Sequence, residues 1–250
     1  MRFLPLVRAG VATLSAVAVL AACTSGSGTA PGGGTTASRP SSLGTAGPGS
    51  ASAPVTSPPV HGSPVPAPLT VETTSGRLHG LATSTSREFL GVRYAKPPTG
   101  PRRWTMPVPE PKASGTVPAT EPGASCAQAG SAPGASATAS TSEDCLFLNV
   151  TTPRTMTPGE RLPVMVWWHG GGYTSGSGSA YDAQRLAARG VVVVTVNYRL
   201  GVFGYLSLPG LKGSGDFGLG DQILATRWAK HNAAAFGGDP DDITVFGESA

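Results

Sequence analysis

Residues 164–173 read V-M-V-W-W-H-G-G-G-Y, and residues 243–250 read I-T-V-F-G-E-S-A. Each stretch begins with an apolar run and ends in a segment that contains glycine. A third apolar run, V-V-V-V-T-V, occupies residues 191–196. Apolar runs without polar alternation are typical of strands that are buried on both faces, as in a parallel sheet. The three runs therefore predict the central strands of the fold.

The segments between these runs have helical character. We expect a helix around residues 181–189, which Gly190 ends. A longer helix is predicted over about residues 219–236, and its apolar face would be formed by Leu219, Ile223 and Trp228. Alternation of strand and helix predicts a right-handed, doubly wound α/β layer. The part before it, residues 71–149, is rich in turns and short strand-like pieces.

Ser249 follows the third apolar run along the chain, in the order Gly247, Glu248, Ser249, Ala250. This order matches four positions of the pattern G-x-S-x-G, a tight turn that raises a serine hydroxyl above the sheet. In proteins with this turn, the acidic residue and the histidine of the triad follow the serine. We therefore expect the second glycine, the acid and the histidine beyond residue 250. The chain is expected to be an inactive N-terminal fragment of a longer parent protein.

Residues 169–173, H-G-G-G-Y, follow the first run. Consecutive glycines allow backbone N–H groups to point into one site, where each donor to an oxyanion is worth about 3 kcal/mol of barrier. The alternatives are a flexible turn or a phosphate-binding loop. A phosphate-binding loop would continue with Lys-Ser/Thr, whereas Thr174 and Ser175 follow Tyr173 here. Together with Ser249, this segment favours acyl transfer to a serine.

These motifs resemble those of the type-B carboxylesterases, the family that includes the cholinesterases. The resemblance covers most of the chain from residue 71 onward, in the order of the family. It implies an α/β-hydrolase fold, of which this chain would contain the N-terminal part up to the nucleophile elbow. The matching stretches are F-L-G-V-R-Y-A-K-P-P-T-G (89–100), S-E-D-C-L-F-L-N-V (142–150), residues 164–173, N-Y-R-L-G-V-F-G-Y-L (197–206), G-D-F-G-L-G-D-Q (215–222) and F-G-G-D-P (236–240).

The resemblance also implies roles for single residues. Ser249 would attack the carbonyl of a small carboxylic ester and form an acyl-enzyme that water then releases. The backbone N–H groups of Gly171, Gly172 and Ala250 would form the oxyanion hole. The family's reaction requires no metal and no cofactor. The alternative function is a catalytically inactive, cholinesterase-like adhesion or binding protein, which would need neither Ser249 nor the glycine run.

No other residue completes a triad on sequence grounds. His169 belongs to the glycine motif and is assigned a structural role, whereas His231 lies toward the end of the long predicted helix, on a solvated face. His61 and His79 are far from the motifs in sequence. Adjacent residues of an elbow point apart, so Glu248 is expected to be a buried partner of a basic group.

The N-terminus has the features of a bacterial lipoprotein signal. Arg2 and Arg8 precede an apolar run over residues 11–22, which is too short for a membrane span and is typical of a signal peptide. Residues 20–23, L-A-A-C, resemble a lipobox and predict lipidation of Cys23, with ordinary cleavage after Ala22 as the alternative. The protein would be exported and held by acyl chains on the outer face of the bacterial membrane, or secreted.

The remaining composition sets the domain boundaries. Residues 1–22 are the predicted signal peptide, and residues 23–70, rich in Gly, Ser, Thr and Pro, form a predicted disordered tether. Residues 71–250 form the predicted catalytic domain. In an exported protein, Cys126 and Cys145 most simply form a disulfide, since too few other ligands for a zinc site lie nearby; the family resemblance implies the same pairing.

The net charge of +4 is partly located before the folded part, because no acidic residue precedes Glu72. The folded part is nearly neutral and has no basic stripe with interleaved aromatics. We therefore expect no nucleic-acid partner.

Overall fold

The computed structural model describes residues 62–130 and 138–250. The predicted signal peptide, Cys23 and most of the predicted tether lie outside these residues. Within them the chain forms the strands β1 (Val65–Pro66), β2 (Thr70–Thr73), β3 (Gly76–His79), β4 (Leu81–Ala82), β5 (Ser86–Arg93), β6 (Thr116–Pro118), β7 (Phe147–Pro153), β8 (Thr155–Met156), β9 (Leu162–Trp168), β10 (Val192–Val196) and β11 (Gly238–Gly247). The α-helices are α1 (Gln184–Ala187), α2 (Gly201–Tyr205) and α3 (Phe217–Asn232), with short 3-10 helices at Gly100–Arg102, Gly178–Ala180 and Ala233–Phe236.

The main sheet has six strands in the order β11-β9-β10-β7-β5-β4. The three predicted central strands are neighbours, and β9 pairs in parallel with both β10 and β11. Toward the other edge, β7, β5 and β4 pair antiparallel. Trp168 lies beside Val196 of β10 and Gly247 of β11. The carboxyl ends of the three strands therefore meet at one edge of the sheet.

Burial differs between the three strands. Every residue of β10 is buried, as predicted, and both α1 and α3 contact this strand. Burial on both faces is wrong for the other two strands. In β9 the side chains of Val164 and Val166 are buried while Met165 is half-buried, and Val245 of β11 is 51% exposed. The helices explain the difference within the described residues, because α3 packs on all three strands whereas α1 packs mainly on β10 and β7. β11 is also the edge strand of the described sheet.

The first predicted helix is shorter than expected. α1 contains four residues, Gln184–Ala187, instead of about nine. Gly190 follows with a φ of +83°, a left-handed conformation that glycine adopts readily, and its N–H donates to Ala187 O at 2.9 Å. The predicted stop is thus confirmed, although the predicted start is too early.

The second predicted helix is confirmed, but its buried face is not the predicted one. Trp228 is buried, whereas Leu219 and Ile223 are 47% and 44% exposed. α3 instead packs through its small residues, such as Gly220, where a Cβ would come within 2.6 Å of Met106 Cε. The buried members of this face are Phe217, Gly218, Gly220, Asp221, Ala225, Trp228, Ala229 and Asn232.

Hydrogen bonds between distant parts of the chain join the early strands to the end of α3 and to the 3-10 helix that follows it. Thr74 N–H donates to Asn232 Oδ1 at 2.8 Å, and the Trp228 indole N–H donates to Ser75 Oγ at 2.8 Å. The buried Arg87 donates from Nη2 to Phe236 O at 2.9 Å. Burial lowers the pKa of Arg87 to about 10. The turn between β2 and β3 is therefore held by a helix that lies more than a hundred residues later.

The described fold also begins before residue 71, the predicted start of the catalytic domain. Val65 and Pro66 pair with Met156 and Thr155, and Pro68 O accepts a hydrogen bond from Arg87. These contacts use the backbone of the early residues, so side-chain composition gave no sign of them. No helix of residues 62–130 and 138–250 has the length and apolar character that crossing a membrane requires.

Candidate active site

The structure brings the glycine segment after β9 and the serine after β11 into contact. A Cβ placed on Gly170 would lie 3.0 Å from Ser249 Cβ and 2.7 Å from Glu248 O. Tyr173 N–H also donates to the carbonyl oxygen of Ala250 at 3.3 Å. This proximity follows from the parallel register, in which Trp168 and Gly247 end the two strands side by side.

Ser249 has the backbone conformation of a tight turn. Its φ is +57°, a left-handed value that is uncommon for a residue with a side chain. Such a conformation costs on the order of 1–3 kcal/mol and is typical of functional sites. The residue is exposed, and its hydroxyl forms no hydrogen bond with any described residue. The hydroxyl is therefore accessible to a small molecule.

The two central glycines of the segment, Gly171 and Gly172, have backbone conformations that suit a site for an anion. Gly171 and Gly172 have φ values of +122° and +60°, which explains why glycine is required there. The N–H groups of Thr174 and Ser175 both donate to Gly171 O, at 3.0 and 3.1 Å. Among the described residues, the N–H groups of Gly171, Gly172 and Ala250 donate to no acceptor. These three donors, predicted for an oxyanion, are thus unpaired within the described residues, and Gly170, which precedes two of them, lies against Ser249.

The buried side chain of His169 packs against this segment. Its ring is 2% exposed and stacks on Tyr198 with the centroids 4.4 Å apart. Its Nδ1 donates to Gly170 O at 2.9 Å, and the Tyr198 hydroxyl donates to His169 O at 2.6 Å. Burial lowers the pKa of His169, and the bond to Gly170 only partly opposes this effect. A neutral, packed imidazole agrees with the structural role that the sequence predicts.

The other candidates for a triad do not contact Ser249. His79 bonds to Thr70 at the other end of the described chain, and His231 is exposed on α3. Glu248, predicted to be the buried partner of a basic group, is exposed in the described part of the chain and forms no ion pair there. Its side chain instead lines a pocket of about 400 Å³ together with Gly171 and Ser175.

A disulfide joins Cys126 and Cys145, the predicted pair, and both residues are buried. It closes a loop that contains Gln128, whose side-chain amide bonds to Gly176 at the end of the glycine segment. Cys23 lies outside the described residues. Within residues 62–130 and 138–250, no three His, Cys, Asp or Glu side chains cluster as a metal site would require.

A buried ion pair behind the site was missed by the sequence analysis. Arg199 donates to Asp221 Oδ2 from its backbone N–H and Nε at 3.0 and 2.8 Å, and from Nη2 to Oδ1 at 2.8 Å. Two residues later, Gly201 N–H donates to Tyr173 O at 2.7 Å. The pair therefore fixes the segment on which the glycine turn rests. An arginine just after a buried strand and an aspartate inside a predicted helix were the only signals.

Comparison with known proteins agrees with this geometry. The model of the carboxylesterase family matches residues 67–250. The chain belongs to the carboxylesterase family. Among its relatives is the para-nitrobenzyl esterase of Bacillus subtilis, which is 45% identical over 189 residues, 72% of this chain and 38% of the relative. The fumonisin B1 esterase of Sphingopyxis macrogoltabida is 41% identical over 190 residues, 73% of this chain and 35% of the relative.

Solved structures of carboxylesterases have the same fold. A thermophilic PNB esterase matches with a TM-score of 0.67 and 43% identity over 72% of this chain and 38% of the other. A carboxylesterase from Geobacillus stearothermophilus matches with a TM-score of 0.64 and 41% identity over 72% and 37% of the two chains. The predicted α/β-hydrolase fold is confirmed for the described part. The chain spans less than two-fifths of the length of these relatives.

Proposed function

We propose that this carboxylesterase-family chain supplies the nucleophile and the oxyanion hole of a serine esterase that acts on small carboxylic esters. One observation carries the proposal: an exposed serine in a left-handed turn lies against a glycine segment with unpaired N–H groups. The names of the relatives, para-nitrobenzyl esterase and fumonisin B1 esterase, support ester hydrolysis as the reaction. Both motifs belong to the part of the chain that the family model matches.

In the proposed reaction, Ser249 Oγ attacks the carbonyl carbon of the ester and transfers its proton to a general base. The carbonyl oxygen becomes an oxyanion, which accepts hydrogen bonds from Gly171, Gly172 and Ala250. Collapse of this intermediate breaks the bond to the alcohol, which leaves with the proton. Water then gives a proton to the base and attacks the acyl carbon. Collapse of this second intermediate breaks the bond to Ser249 Oγ, which takes the proton back, and the acid is released.

The general base is not His169, because its Nδ1 already donates to Gly170 O and its ring is enclosed by Tyr198. We therefore propose that the histidine and its acidic partner follow residue 250 in the parent protein, as the order of the motif requires. The described residues contribute the electrostatic part of catalysis. Loss of one backbone donor to an oxyanion typically costs about 3 kcal/mol.

The decisive experiment is covalent labelling of the full-length parent protein with a fluorophosphonate. We expect one label per folded molecule and loss of labelling in Ser249→Ala. Ser175→Ala is the matched control, because Ser175 lies in the same turn but faces Gly171 O only through a weak 3.4 Å contact. A folded wild-type protein that takes no label would favour the inactive adhesion or binding protein instead.

The cellular location is a separate proposal that rests on the N-terminal sequence. We propose export and attachment through lipidated Cys23, and the buried disulfide fits an oxidising compartment. Metabolic labelling with a fatty acid in a bacterial host tests this directly. The label should be lost in Cys23→Ala, whereas retention of the label in that variant would contradict lipidation at this residue.

A further inference from the structure

Gln128 connects the disulfide-bonded segment to the far end of the glycine turn. Its Nε2 donates to Gly176 O at 2.8 Å, and its Oε1 accepts from Gly176 N–H at 2.8 Å. The second N–H of Nε2 donates a hydrogen bond to Cys126 O at 3.0 Å. A side-chain amide both donates and accepts, so it can pair with one residue's N–H and C=O at once. All hydrogens of this amide are used.

Gln128 is itself held in place by its backbone. Gln128 and Ser140 exchange two hydrogen bonds, at 2.8 and 3.0 Å. Two residues before Gln128, Cys126 is linked to Cys145 by the disulfide. The amide is therefore presented from a segment that is fixed at both points, rather than from a free loop.

Gly176, the partner of Gln128, packs directly on the oxyanion segment. Its φ is +120°, and a Cβ placed on it would lie 2.6 Å from Gly170 O and overlap the His169 ring. Between these contacts, Thr174 and Ser175 N–H groups close the turn onto Gly171 O. Gly176 thus closes the loop that begins at Gly170.

This loop needs an external constraint. Four of its residues, Gly170, Gly171, Gly172 and Gly176, are glycines, and glycine loses more conformational freedom on ordering than any other residue. Glycines also have no side chains through which packing could fix them. Hydrogen bonds therefore contribute to selecting its conformation: Thr174 and Ser175 supply two within the loop, and the amide of Gln128 supplies two from outside it.

We propose that Gln128 is a positioning residue for the oxyanion hole: it fixes Gly176 and, through it, the orientation of the Gly171 and Gly172 N–H groups. This inference rests on the proposed esterase function. Gln128 does not contact the reacting atoms. It acts by holding the donors in the geometry of the transition state, where displacements of about 1 Å can cost a hundredfold in rate.

The test compares Gln128→Ala with wild type in the full-length parent protein, with p-nitrophenyl acetate as substrate and sites counted by fluorophosphonate titration. We expect kcat per titrated site to fall between about tenfold and a hundredfold. KM should stay within about twofold, because the oxyanion forms only in the transition state. The rate of fluorophosphonate labelling should fall with kcat. Gln222→Ala, on α3, is the matched control and should leave both constants unchanged.

Gln128→Glu serves as the second variant, and it decides the matter if the alanine variant does not fold. It keeps an acceptor for Gly176 N–H but places a carboxylate oxygen against the carbonyl oxygens of Gly176 and Cys126, where Nε2 donates in wild type. We therefore expect a loss of kcat at least as large as in Gln128→Ala, again without a change in KM. A kcat per titrated site within about twofold of wild type would overturn the proposal, even if the melting temperature fell. A wild-type protein that takes no label would instead contradict the esterase function itself.

Discussion

Tyr173 donates its backbone N–H to the carbonyl oxygen of Ala250, so the glycine turn after β9 is hydrogen-bonded to the serine turn after β11. No side chain takes part in this bond. The distance between the two halves of the site is therefore set by the register of β9 and β11 and by how closely their backbones approach. Gly170 is the position where that approach is tightest.

Gly170→Ala should separate the two turns. The new Cβ would meet Glu248 O at 2.7 Å and Ser249 Cβ at 3.0 Å, so the backbone of one turn must move. We expect the rate of fluorophosphonate labelling in the parent protein to fall by about a hundredfold or more.

The matched control for this change is Gly115→Ala. A Cβ at Gly115 would meet nothing within 4 Å, and its backbone φ is not in the left-handed region. Labelling and stability should stay as in wild type, within about 0.5 kcal/mol for stability. Normal labelling of the Gly170 variant would show that the turns can separate without harm.

Asp221→Asn should destabilise the fold strongly. The variant keeps the shape of the side chain but leaves the buried Arg199 guanidinium without a counter-charge, which typically costs about 3 kcal/mol or more. Urea unfolding of the parent protein measures the change. Asp241→Asn removes a charge from the exposed pair with Lys230 and should change the free energy of unfolding by less than about 1 kcal/mol. Equal effects of the two variants would contradict the importance of burial.

His169 should make the stability depend on pH. Burial lowers its pKa in the folded state below the usual 6.5, so the unfolded chain binds a proton more readily. Its contribution is therefore complete above pH of about 6.5 and is lost progressively as the pH falls toward the folded-state pKa. Urea unfolding at pH 8 and 5.5 should show a smaller loss of stability for His169→Asn than for wild type. His231→Asn, at an exposed position, should lose as much stability as wild type between pH 8 and 5.5. The same loss in His169→Asn would contradict the role of His169 in this pH dependence.

Removal of the disulfide should weaken the described fold. Cys126 and Cys145 are 19 residues apart, and closing a loop of this size contributes about 3 kcal/mol in the chain-entropy model. Replacing both cysteines by alanine should lower the urea midpoint and abolish the effect of a reducing agent. Cys23→Ala should retain that effect. Loss of the reducing-agent effect in the Cys23 variant would point to a different pairing.

The sequence was sufficient where a local pattern determines the structure. The run that forms β10 contains only valine and threonine, a composition typical of a strand that is covered on both faces, and every residue of β10 is buried. The glycine turn and Ser249 were placed correctly at one edge because the carboxyl ends of parallel strands meet there. The confirmed family and fold follow from the same stretches.

The sequence was insufficient where a distant partner decides. The apolar face of α3 was assigned to its large residues, but the helix buries glycines, alanines and an aspartate whose partner, Arg199, lies 22 residues earlier. The contact of Gln128 with Gly176 spans 48 residues and has no periodicity. Glu248 was expected to be the buried partner of a basic group. The sequence did not indicate that its turn is exposed in the described part of the chain.

The hydrogen bond between Thr74 and Asn232 joins residues that are 158 positions apart. A ribosome that adds about 5–20 residues per second needs roughly 10–30 s to cover that distance. The turn between β2 and β3 is synthesised first and waits for its partner throughout this interval. The earliest strands therefore lack these hydrogen bonds until the last described helix has been synthesised.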